Sequence, residues 1–284
     1  MDFRDDVELD PSQVEDAGGY SGGGGGGGGF PGGMIIGGGG IVSLIVLVLV
    51  FVLNNVGGGG GGSSEPARQR PASNLAEQCH TGKDADQSEK CRVVGVVNSI
   101  QDYWKKEISG YRPAKTVLYS GQLKTSCGTA SSAVGPFYCP GDQRVYLDLS
   151  FFEQLHSQFG ARGGPFAQAY VIAHEYGHHA QDLLGALGSS GSSVAIELQA
   201  DCYAGVWAHN AVQTGFYDKP FTTAEISEAL DAAAAVGDDR IQQRTTGRVD
   251  PESFTHGSSE QRVAAFQRGY ENGKPGDCGL DELR

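Results

Sequence analysis

The 284-residue chain carries no charge between Ala17 and Ser64, contains no Cys-x-x-Cys pair, and is poor in basic residues. Each shortage excludes something. With 21 Lys and Arg against 34 Asp and Glu, for a formal charge of -13, the chain has no basic surface from which a polyanion could release counterions. Nucleic acid is excluded as a partner. Without a Cys-x-x-Cys pair, the six cysteines do not read as a zinc ribbon or a redox dithiol. An even, scattered set fits disulfides formed in an oxidising compartment. Of the possible connectivities, the sequence-local loops Cys79 with Cys91 and Cys127 with Cys139 are favoured, which leaves Cys202 with Cys278. No internal repeat is present, so a solenoid is excluded as well.

The uncharged interval holds most of the glycine runs, at Gly22–Gly29, Gly37–Gly40 and Gly57–Gly62, and between them MIIGGGGIVSLIVLVLVFVL, residues 34–53. Twenty residues in a helix span about 30 Å, the thickness of a bilayer's hydrocarbon core. A secretory signal peptide would need a basic segment before the apolar one. Here that segment has seven acidic residues against the single Arg4. A buried helix of a soluble domain is the other alternative to a membrane span. Charge counting does not orient the span, but disulfides place the cysteine-bearing part outside the cytoplasm. The expected order is an acidic, glycine-rich disordered tail over 1–33, a transmembrane helix over 34–53, a flexible linker over 54–73 and a folded domain over 74–284. The protein is then expected as a single-pass protein of the cell membrane, N terminus cytoplasmic and domain extracytoplasmic.

Within the domain, CRVVGVVNSIQDYWKKEI (91–108) spaces Val93, Val97, Ile100 and Trp104 for a helix with one buried side. KTVLYSG and RVYLDL read as strands, and the chain turns helical from Ser150 onward. Thr222 with Glu225, and Ser258 with Gln261, have capping-box spacing, with Gly237 and Gly273 as stops. A small sheet followed by helices indicates an α+β fold, mostly helical.

The chemistry concentrates in AYVIAHEYGHHAQDLLG, residues 169–185, which holds three of the seven histidines. His174 and His178 are four apart and share a helix face, and Glu175 completes His-Glu-x-x-His. Two neutral imidazoles suit zinc, and a carboxylate next to the first can take a proton from a water on the metal. A helix whose polar face merely includes histidines is the bland alternative, so a third ligand is needed. In VAIELQADCYAGVWAHNA, Glu197 and Asp201 are again four apart. If that helix packs on the first, Glu197 completes a His2Glu set for one zinc ion, and Asp201 accepts the second N–H of a ligand histidine. Ala200, Ala204, Gly205 and Ala208 form a small-residue stripe for close helix approach.

HEYGHHAQ, ELQADCYAGVWAH, DDRIQ and FTHGSSEQRVAAFQRGYENG together resemble the bacterial neutral zinc metallopeptidases. More distantly, the downstream Glu-x-x-x-Asp is similar to that of glutamate-zincin peptidases. The resemblance implies a zincin-like domain tethered to a membrane. It also implies zinc on His174, His178 and Glu197, Glu175 as base and Asp201 behind a ligand. For the oxyanion donor, His256 is the candidate, with Tyr203 and Arg262 after it. His179 points about 100° away from His178 and reads as structural. Arg144–Leu149 offers an edge strand on which a peptide substrate could lie.

These readings predict a membrane-anchored, extracytoplasmic zinc peptidase acting on peptide or protein substrates. Two rivals use the same residues. One is a noncatalytic envelope module braced by zinc; the other is a metal-dependent amidase acting on cell-wall peptides.

Overall fold

The computed structural model describes residues 1–21, 68–70, 72–131, 134–157, 159–187 and 192–280. A five-stranded sheet joins β1 (Val14–Ser21), β2 (Arg68–Arg70), β3 (Lys115–Ser120), β6 (Phe137–Cys139) and β7 (Arg144–Asp148) in the order β2-β1-β3-β7-β6. β1, β3 and β7 run parallel, and β2 and β6 close the two edges antiparallel. Side chains alternate across the sheet, as a strand's two-residue period requires. Leu118, Val145 and Leu147 face the helices, while Val117, Tyr119 and Tyr146 face a second small core. That second core is shared with Ala130 of a separate hairpin, β4 (Gln122–Thr125) and β5 (Gly128–Ser131).

The other layer is helical: α1 (Leu75–Gln78), α2 (Gly82–Gln87), α3 (Glu89–Glu107), α4 (Ser150–Ser157), α5 (Pro165–Leu183), α6 (Ser193–Asn210), α7 (Thr223–Ala235), α8 (Asp238–Thr246) and α9 (Ser259–Asn272). The fold is α+β and mostly helical, as the sequence suggests. Both capping boxes form, at the starts of α7 and α9, and Gly273 ends α9 in the left-handed conformation at φ 66°. Gly237 has a different task. Val236 already caps α7, and Gly237, at φ -68°, starts α8. A Cβ there would sit 2.4 Å from the Ser259 nitrogen, so glycine is required by close approach rather than by a turn. The three disulfides are Cys79–Cys91, Cys127–Cys139 and Cys202–Cys278.

The N-terminal part departs from expectation. Residues 1–21 are no disordered tail: Phe3, Leu9 and Val14 are buried, and β1 lies inside the sheet. Phe3 sits over Gly95 of α3, where a Cβ would come within 2.6 Å of its ring. Asn98 exchanges two hydrogen bonds with the Asp10 backbone, at 2.8 and 3.0 Å. Asp16 accepts from the Lys90 ammonium at 2.6 Å and from the Ser73 amide at 2.9 Å. The folded unit therefore takes in residues 1–21 as well as the part after 74, and Arg68–Arg70 of the expected linker is a strand paired with β1.

The apolar run 34–53 lies outside the described residues. Among the described residues no helix is long and apolar enough to cross a membrane. β1 pairs in parallel with β3, so residues 1–21 belong to the same folded unit as the helical layer.

Candidate metal centre

From Ala169 to Gln181 every residue of α5 is buried, so this helix runs through the interior instead of lying on it. α6 is buried almost as completely. Two buried helices bring polar side chains together only if their backbones come close. Gly177 permits that: a Cβ on it would lie 3.0 Å from the Ala200 Cα. This contact falls between His174 and His178 on α5 and one turn from Glu197 on α6. The small residues divide their work. Ala200 faces α5, whereas Gly205 faces α9, where a Cβ would lie 2.1 Å from the Phe266 carbonyl oxygen.

His174 Nε2 lies 3.2 Å and His178 Nε2 lies 3.6 Å from the same Glu197 oxygen, and all three side chains are buried. Ligands of a tetrahedral zinc at about 2.0–2.1 Å are roughly 3.3 Å apart, which matches. Donor chemistry matches too. His174 Nδ1 is engaged by Asp201 at 2.8 Å and His178 Nδ1 by Gln181 at 2.8 Å, so in both rings Nε2 is the nitrogen turned inward. His178 Nε2 and both oxygens of Glu175 are buried without a hydrogen-bond partner. Charge supplies a third test. Glu175, Glu197 and Asp201 are buried together, and among the described residues Arg262 is the permanent cation hydrogen-bonded to one of them. A divalent cation would neutralise the cluster, and buried charge is costly until balanced. Among the described residues this is the group of side chains that could hold a metal ion.

The ionisation equilibria follow from the same imbalance. Burial favours neutral imidazole, but the Asp201 and Glu197 carboxylates overcome it and raise His174 to about 10. Burial opposes a charged Glu197, yet the neighbouring imidazoles, His178 foremost, hold its carboxyl well below the usual range. For Asp201, burial is outweighed by the Arg262 and His174 charges, and the carboxyl falls to about 2. Glu175 goes the other way: burial raises it, and nearby His174 and His178 only partly offset that.

Arg262 forks onto Asp201, with Nε 2.8 Å from one carboxylate oxygen and Nη2 2.9 Å from the other. It is therefore the counter-ion of Asp201, which backs the candidate ligand His174. The Tyr170 hydroxyl donates to the same carboxylate at 2.6 Å. Tyr203 is not at the centre; its ring packs edge-on against Trp104. His179 bonds the Arg112 carbonyl and the Tyr138 hydroxyl, a structural role as its direction suggests. The strand Arg144–Asp148 is interior to the sheet, between β3 and β6, so it offers no free edge.

His256 lies in the turn before α9. Its neighbour Gly257 lies against Val194 and Leu198 of α6, the helix that carries Glu197. Asp238 organises this turn. One of its oxygens accepts from the backbone N–H groups of Thr255, His256 and Gly257 at 2.7, 2.7 and 3.0 Å. The other is 3.2 Å from His256 Nδ1, which leaves His256 Nε2 buried and unpartnered. Burial disfavours an ionised Asp238, but these bonds, the His256 side chain foremost, bring its carboxyl below the usual range.

Sequence reasoning missed Tyr170, Gln181, Gln199 and Asp238. Tyr170 and Gln181 were visible in principle, four residues before His174 and three after His178 on the same helix. Gln199 and Asp238 stand in the motifs ELQADCYAGVWAH and DDRIQ, but their roles carry no local signal, because their partners are distant in sequence.

A family model described as "Putative neutral zinc metallopeptidase" matches residues 1–280. The chain belongs to this family. An uncharacterized protein of Mycobacterium tuberculosis (strain H37Rv) is 54% identical over 215 residues, covering 71% of this chain and 73% of that one. Uncharacterized protein YpfJ of Escherichia coli (strain K12) is 42% identical over 226 residues, covering 74% and 77%. No solved structure matches. The family match takes in the N-terminal arm, in keeping with the place of β1 in the sheet.

Proposed function

We propose that this protein is a zinc-dependent peptidase that hydrolyses peptide bonds by direct attack of water, with Glu175 as the base. One observation carries the reading: a buried Glu175 carboxylate without partners lies beside two inward-facing imidazole nitrogens and the Glu197 carboxylate. His174, His178 and Glu197 would hold the ion. When bound, zinc polarises the scissile carbonyl and acidifies the attacking water. Glu175, its affinity for protons raised by burial, takes the proton of the water and returns it to the departing amine. Doubly protonated, with its Nδ1–H on Asp238, His256 would donate its Nε2–H to the oxygen that becomes negative during attack. Three disulfides support an oxidising compartment as the place of action.

A zinc-braced interaction module is the reading that the depth of burial favours, since Glu175 is wholly buried and the ligands nearly so. Such a module has no use for an unpartnered acid at its centre. Metal analysis of the full chain, joined to cleavage of a library of ordinary and cell-wall peptides with and without chelator, tests the proposal. The full chain is needed because Met1–Ser21 is part of the fold. Glu175→Gln is expected to retain one zinc per chain and to lose turnover by about 10²–10⁴-fold. Wild-type turnover in that variant, or a metal-free wild type, defeats the reading. Cleavage confined to cell-wall peptides would make the protein an amidase of that class.

A further inference from the structure

The two ligand histidines are backed differently. Behind His174 stands a charged pair, Asp201 with Arg262. Behind His178 stands a line of neutral amides. His178 Nδ1 is 2.8 Å from Gln181 Oε1. Gln181 Nε2 donates to the Ile196 carbonyl at 2.7 Å and to Gln199 Oε1 at 3.0 Å. Gln199 Nε2 in turn donates to the Cys278 carbonyl at 2.8 Å. Gln181, Gln199 and Cys278 are all buried, so water cannot substitute for a missing partner. Cys278 follows α9 and its Pro275–Asp277 turn, and is tied to α6 by its bond to Cys202.

The direction of every bond in this line is forced. A backbone carbonyl only accepts. The Cys278 and Ile196 carbonyls therefore demand the NH2 ends of Gln199 and Gln181. That turns the Gln199 oxygen toward Gln181, and the Gln181 oxygen toward His178. Facing an acceptor, Nδ1 of His178 must carry the hydrogen, so the lone pair of the ring sits on Nε2, the nitrogen beside Glu197.

We infer that Gln181 and Gln199 are positioning residues that set the metal-binding tautomer of His178, and that the Cys202–Cys278 disulfide anchors this line at the Cys278 carbonyl. The inference rests on the metal reading of the site and extends it to the C-terminal strap. Gln181 matters most, because the Ile196 carbonyl orients it even without Gln199. Gln199 and the disulfide act together, and their effect is smaller.

Zinc affinity of the full chain, measured by competition with a chelator, is the first readout. Gln181→Leu is expected to weaken binding by about 10–100-fold, the usual effect of losing a partner behind a ligand. Gln199→Leu is expected to weaken it less. The pair Cys202→Ser with Cys278→Ser should match Gln199→Leu, and combining the two should add nothing, as for residues acting through one contact. Unchanged affinity in Gln181→Leu, or fully additive losses, overturns the inference. The second readout needs no variant. In zinc-loaded protein labelled with ¹⁵N-histidine, the Nδ1 proton of His178 is expected to be visible and slow to exchange, with the metal on Nε2. Coordination through Nδ1, or a freely exchanging Nδ1 proton, also overturns it. A wild type that binds zinc while the variants behave like it would sink the relay and leave the metal reading standing. A wild type that binds none would sink the metal reading itself.

Discussion

At the scale of single residues, two aspartates hold histidines in place yet should fail differently. Asp201 lies between a ligand and a buried guanidinium. Asp201→Asn is expected to weaken zinc binding by about 10–100-fold. It should also destabilise the fold by about 3–5 kcal/mol, because Arg262 is left charged and uncompensated in the interior. Chelator competition and denaturant melts measure the two effects. Asp238 touches no ligand; it holds the turn that carries His256. Asp238→Asn should therefore keep its zinc and lose catalytic rate by about 10²–10³-fold, as when an oxyanion donor is misplaced. Loss of metal from Asp238→Asn would contradict this division. The His-Glu-x-x-His spacing and the later Glu-x-x-x-Asp were readable because a helix converts a four-residue interval into adjacency. Asp238 opens the DDRIQ motif, but its role was not readable, because its contacts join α8 to a turn seventeen or more residues later.

At the scale of elements, helix spacing is the controlling variable. Gly177 allows α5 to approach α6, and Gly205 with Gly269 allows α6 to approach α9, where added Cβ atoms would meet backbone oxygens at 2.1 and 1.9 Å. Gly205→Ala is expected to destabilise the protein by about 1–3 kcal/mol or more, since backbone cannot give way as a side chain can. Gly177→Ala meets Ala200 at 3.0 Å, a milder clash, and it acts on the interface that unites the ligands. Its expected signature is weaker zinc binding with a smaller loss of stability. Equal melting curves for wild type and Gly205→Ala would refute the first expectation. The sequence showed α3, α7 and α9 by periodicity and caps, and β3 and β7 by their β-branched and aromatic runs. It did not show which small residue faces which helix. Ala200 and Gly205 lie in one stripe of the chain, and five positions along a helix turn them toward different partners.

At the scale of the whole molecule, the N-terminal arm is the largest difference between sequence and structure. Phe3, Leu9 and Val14 are separated by six and five residues, so no single helix or strand period joins all three, and acidic residues fill the gaps. The arm lies as a strap that touches the core at intervals, so no period betrays it. Its electrostatic fastening makes an acid test. Burial would raise the Asp16 carboxyl, but its hydrogen bonds, Lys90 first, lower it to about 2. A depressed carboxyl contributes stability above its unfolded value near 4 and surrenders it as pH falls toward 2. Amide exchange in β1 is thus expected to accelerate between about pH 4 and pH 2, sooner than in β7. Asp16→Asn should flatten that dependence. Exchange in β1 indifferent to pH across that window would show that Lys90 and Asp16 do not secure the arm.

The parallel pairing of β1 with β3 sets an order of events during synthesis. β1 meets β2 only at Gly19–Ser21, and its other neighbour, β3, lies about a hundred residues downstream, so β1 cannot be fully seated until β3 has been translated. A contact so remote in the chain is slow to close. Until then the side of β1 that receives β3 is left without its partner.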